Sequence, residues 1–174
     1  MEEKTENKKY FISLAIIIGI FLIFILLNSR LMTFLFLIFL ASTITAINYM
    51  TSLPVDFSPI LFFSLVLTSE LGLGHSLLFV ILSGFVPGMI LTGFRPSIII
   101  YLISNILVNL LSNFLNLNNP LEWILISSIY FSIVTLVKGT IQSNFYQELL
   151  SNLISFFINI IYFLKFSDFL ISIL

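Results

Sequence analysis

Asp56 sits between Pro54 and Pro59, beside a short apolar run. A carboxylate held in so rigid a loop could reach over the mouth of a membrane cavity to meet a cation or an amine. It could equally accept hydrogen bonds from the free amides of the following helix, as could Ser58. Glu70 and the single histidine, His75, flank Leu71-Gly72-Leu73-Gly74. They could form a pH-sensitive contact or simply rest among headgroups between two helices. One histidine and one nearby acid do not make a metal-ligand cluster. A serine nucleophile would need an elbow of the Gly-x-Ser-x-Gly type, and a nucleotide hydrolase a Gly-x-x-x-x-Gly-Lys loop; the sequence has neither. With no cysteine there is no thiol chemistry. We therefore expect no catalytic residue, metal site or cofactor, and a protein that is not an enzyme.

Polar residues recur at helical spacing in three later stretches. One holds Tyr101, Asn105, Asn109, Ser112 and Asn116, the second Ser128, Ser132 and Thr135 near Lys138, and the third Glu148, Asn152, Ser155, Asn159 and Tyr162. Steps of three and four keep each set on one helix face. Amides in hydrocarbon are costly without a partner, so these faces should turn inward. Together they could wall a polar cavity, or they could glue the helices to one another.

The elements that would carry these residues are set by composition. Of 174 residues, 59% are hydrophobic and 9% charged, more apolar surface than a soluble domain of this size can bury. An all-α integral membrane protein follows, in the cell membrane and multi-pass, with lipid as its surroundings. Residues 1–9 form a charged tail, and 10–174 a single bundle of six to seven transmembrane helices. Apolar runs cover 10–27, 31–50, 57–69, 76–92, 96–115, 121–137 and 149–165. The first reads as a retained helix, since no cleavage site of small residues follows it. The run 57–69 is too short to cross a hydrocarbon core of about 30 Å unless it continues through Gly72 or the preceding loop dips inward. Pro87, between Gly84 and Gly88, predicts a kinked, closely packed helix. Glu122 and Trp123 after Pro120 read as a helix start with an interfacial aromatic, and 139–147 as a polar loop able to form a lid. Near-zero net charge without a basic cluster argues against nucleic acid. Lysine and arginine placement favours a cytoplasmic amino terminus and, with seven spans, a cytoplasmic 54–58 loop.

The order Leu53-Pro-Val-Asp-Phe-Ser-Pro-Ile60, Leu71-Gly-Leu-Gly74 and Gly84-x-x-x-Gly88 resembles the substrate-binding S components of energy-coupling factor transporters. Ser42-x-x-x-Ala46 is similar to the small-residue face of that family's first helix. The resemblance covers residues 31–174 and implies a fold of about six helices. It further implies that a vitamin or metal ion binds under the loop after the first helix, among the last three helices. Asp56, Tyr101, Asn105, Asn109, Ser132, Asn152 and Asn159 would then contact a small solute. Ser42, Ala46, Gly84 and Gly88 would dock a transmembrane coupling subunit that works with a separate ATPase. In that family the binding loop lies outside the cell. The chain also resembles the rod-shape-determining membrane subunit of bacterial cell-wall synthesis, which implies a non-enzymatic scaffold.

Overall fold

Residues 30–51, 55–115, 120–142 and 145–174 are described by a computed structural model. The expected tail, the first apolar run, Pro54, Asn116 and the Ser52–Pro54 part of the loop lie outside them. Six helices account for almost all of the described chain: α1 (Arg30–Thr51), α2 (Ile60–Leu71), α3 (Leu73–Thr92), α4 (Pro96–Ser112), α5 (Pro120–Gln142) and α6 (Phe145–Ile173). Among the described residues there is no strand. Helices α1, α3, the Leu121–Ile141 part of α5, and α6 are each long and apolar enough to cross a membrane.

Helix α2 is the hub. At 12 residues it rises about 18 Å, too short to span a bilayer core, and every residue from Ile60 to Thr68 is buried. A helix that is apolar all round needs protein on every side, and α2 has α3, α4 and α6 packed around it. It does not run on through Gly72. That residue adopts φ +86°, a backbone conformation natural to glycine, and α3 begins at once beyond it.

Helix α3 is continuous from Leu73 to Thr92 but widens into one π turn at Ile81–Phe85. The Val86 amide there donates to Ile81 O, five residues back. Pro87, which has no amide to donate, follows directly, so the predicted irregularity lies in the turn preceding the proline. The close approach around the glycines is intramolecular. A Cβ on Gly84 would lie 2.9 Å from Ile60 Cδ1, and one on Gly88 3.1 Å from Tyr49 Oη. Helix α1 packs here, burying Phe34, Leu37, Ala41 and Thr45 at steps of three and four.

The chain reverses at Gly93, φ +71°, and Arg95 is exposed and extended before Pro96, which opens α4. Helices α5 and α6 pack along one another; α5 is longer than its apolar run suggested, and α6 runs past 165 almost to the last residue. The 139–147 connection, open as a lid or merely a wet loop, is largely helical in its described part: α5 continues to Gln142 and α6 starts at Phe145, and Gly139 lets Phe145 come within 2.7 Å of where a Cβ would be. Glu122 does lie in the first turn of α5, where a carboxylate suits the helix dipole. Trp123 is a correction. It is buried and stacked on Phe163 of α6 at 4.6 Å, so it faces protein and not lipid.

Polarity is arranged inside out. Phe39, Ile90, Phe114, Leu136 and Ile161 are exposed, whereas Asn105, Asn109, Asn152, Ser155 and Asn159 are buried. The amide stripes turn inward, as the cost of an unpaired amide in hydrocarbon requires.

Candidate functional site

The short loop between α1 and α2 is held from three sides. Asp56 Oδ1 accepts from Ser58 N at 2.8 Å and from Asn48 Nδ2, at the end of α1, at 2.7 Å. The Asp56 amide donates to Ser155 Oγ at 3.0 Å, and Tyr162 Oη donates to Phe57 O at 3.0 Å, so α6 clamps the other edge. Asp56 thus closes a turn before α2 and does not cap the helix; the N-cap position is Pro59, with no side-chain cap. Burial pushes the Asp56 carboxyl above the usual carboxylate range, against the hydrogen bonds from Ser58 and Asn48 and the positive field of Lys138, which pull it down.

Beneath this loop lies a cavity of about 230 Å³. That is room for a small solute. Helix α1 supplies Thr45, Asn48 and Tyr49; the loop Asp56 and Ser58; α4 Tyr101 and Asn105; α5 Tyr130, Phe131 and Lys138; α6 Asn159. Ile60, Leu61, Val80, Phe85, Ile98 and Leu102 complete it with apolar surface.

Two amides in this wall have their orientation fixed by what they donate to. Asn105 Nδ2 donates to Tyr101 O at 2.8 Å and to Tyr130 Oη at 3.1 Å, and Asn159 Nδ2 to Ser155 O at 3.0 Å. Flipping either would set its carbonyl oxygen against a backbone carbonyl. Asn105 Oδ1, Asn159 Oδ1 and Thr45 Oγ1 are buried without a partner. An unpaired buried acceptor costs about 1–3 kcal/mol, and here three of them belong to residues of one cavity wall.

At the α5–α6 end, Lys138 Nζ pairs with Glu148 Oε2 at 2.7 Å and lies 3.3 Å from Tyr101 Oη. The lysine's charge is thereby matched within the wall, which leaves Asp56 as its remaining carboxylate.

Four of the seven expected solute contacts, Asp56, Tyr101, Asn105 and Asn159, come together here. The other three do not. Asn109 lies in a fully bonded knot, with Oδ1 at 2.8 Å from both the Thr68 and Ser76 hydroxyls and Nδ2 donating to Ser64 Oγ and Asn105 O. It ties α4 to α2 and α3. Ser132 is exposed, and Asn152 donates to Thr135 Oγ1 at 2.9 Å. Both line a separate groove of about 360 Å³ between α5 and α6. Among the expected docking residues, Ser42 Oγ donates to Leu82 O at 3.3 Å, and Gly84 and Gly88 admit Ile60 and Tyr49 of the same chain. The small face of α1 is thus turned onto α3. His75 sits against Leu71 O at 2.9 Å and edge-on to Phe34, at the exposed end of α3, away from the cavity.

Sequence spacing missed Thr45, Asn48, Tyr49 and Tyr130 as cavity residues. Asn48 and Tyr49 could have been found from their place just before the Asp56 loop. Nothing in the spacing around Tyr130 separates it from a packing aromatic. Comparison with known families, curated sequences and solved structures finds no match for this chain, so its site is read from its own geometry.

Proposed function

We propose that this chain is a multi-pass cell-membrane subunit that captures a small solute for uptake and relies on a separate ATPase module for energy. The observation that carries the reading is the cavity under the Asp56 loop, whose lining combines a carboxylate, the polar residues Asn48, Asn105 and Asn159, and apolar surface. The resemblance to S components supplies the transport context, and the sequence carries no nucleotide-hydrolysing loop of its own. In this reading α1, α3, α4, α5 and α6 cross the membrane with α2 enclosed among them. Among the described residues no group of three histidines and acids could hold a metal ion, which favours an organic solute over a transition metal.

The test is a thermal-shift screen of vitamins and divalent ions on protein purified in mild detergent. Stabilisation by a solute that is lost in Asn105→Leu or Asn159→Leu supports capture. A flat screen with a stably co-purifying membrane protein would instead support the scaffold resembling the rod-shape-determining subunit. A cysteine in place of Ser52 should react with an impermeant reagent from outside the cell. Labelling from the cytoplasmic side would refute the S-component reading.

A further inference from the structure

Asp56 is the carboxylate of the cavity wall. Asn105 spends both N–H groups on Tyr101 O and Tyr130 Oη, and Asn159 one of its two on Ser155 O. The charge balance points to a cation. Lys138 is neutralised by Glu148 at 2.7 Å, whereas the bonds to Asp56 from Asn48 and Ser58 come from neutral groups. An anionic solute would face this carboxylate across a small cavity. A bare metal ion would leave most of about 230 Å³ and its aliphatic wall without a contact.

We propose that the cavity binds a small organic ammonium ion, its N–H groups paired with the Asp56 carboxylate and its apolar body held against Ile98 and Phe131. This assignment rests on the capture reading and gives it a substrate class.

Three isosteric probes test it: benzylamine, benzyl alcohol and benzoate, titrated against the full chain in an uncharged maltoside detergent and followed by saturation-transfer NMR. Benzylamine should bind at least tenfold more tightly than either of the others. Asp56→Asn keeps an oxygen for Ser58 N and Asn48, so it should fold, as checked by circular dichroism and elution volume, and should cost benzylamine at least tenfold. Asn159→Leu should weaken it as well. Benzoate or benzyl alcohol binding as tightly as benzylamine, with Asn159→Leu abolishing it, would overturn the cation assignment and leave capture standing. Benzylamine binding unchanged in Asp56→Asn would overturn it too, as would no benzylamine binding by folded wild-type protein. In that last case the vitamin screen decides separately whether the cavity captures a solute at all.

Discussion

Asn109→Leu separates the polar residues that hold this bundle together from those that serve its cavity. Leucine fills nearly the same volume but removes every bond of the amide. Ser64 keeps its bond to Leu61 O and Thr68 its bond to Ser64 O, so the Ser76 hydroxyl is the group left stranded. Three side-chain contacts between helices are lost, at about 0.6 kcal/mol each in a membrane protein, or about 2 kcal/mol together. Stranding a buried hydroxyl adds about 1–3 kcal/mol. The expected loss is therefore about 3–5 kcal/mol, measured by equilibrium unfolding in mixed micelles. Pairing the variant with Ser76→Ala should recover the stranding part, since that hydroxyl is then gone. Asn159→Leu is the contrast: it loses one bond to its own helix and relieves an unpartnered oxygen, so stability should change by less than about 1 kcal/mol. The reasoning fails if Asn109→Leu is neutral, or if it abolishes solute binding in protein that remains folded.

Two glycines predict opposite outcomes for the same substitution. Gly84→Ala should be nearly neutral, because the conflict is with the tip of Ile60, whereas Gly139→Ala should cost about 1–3 kcal/mol, because Phe145 Cα lies 3.3 Å away and backbone cannot rotate aside; melting in detergent ranks them. For Asp56 the folded state holds the proton more tightly than the unfolded chain, so its contribution is full below the unfolded value near 3.8 and is lost as pH rises through the higher folded value. Wild type minus Asp56→Asn stability should therefore fall as pH rises above about 4, and a difference that rises with pH would reverse the sign of the argument.

Much of this arrangement is legible in the sequence because hydrocarbon leaves few choices. The inward turn of the Asn105–Asn109 and Asn152–Asn159 stripes follows from spacing and desolvation cost, and the short α2 from its length. The limits of the helices were less legible. Residues 139–147 read as a loop because glutamine, asparagine and tyrosine look wet, yet one helix runs to Gln142 and the next starts at Phe145, where Gly139 lets the two meet. Trp123 read as an interfacial anchor because its place beside a helix start says nothing of which neighbour will cover it.

Taken alone, then, the sequence determines an all-helical, membrane-suited chain with inward amides and a rigid acidic loop, since periodicity and hydrophobicity are local properties. Tertiary structure decides which amides share a space. Asn105 and Asn109 are one helical turn apart on the same face, but one lines the cavity with an unpartnered carbonyl and the other is fully bonded to α2 and α3. What separates them is where neighbouring helices place Ser64, Thr68 and Ser76, a matter of packing between segments far apart in the chain.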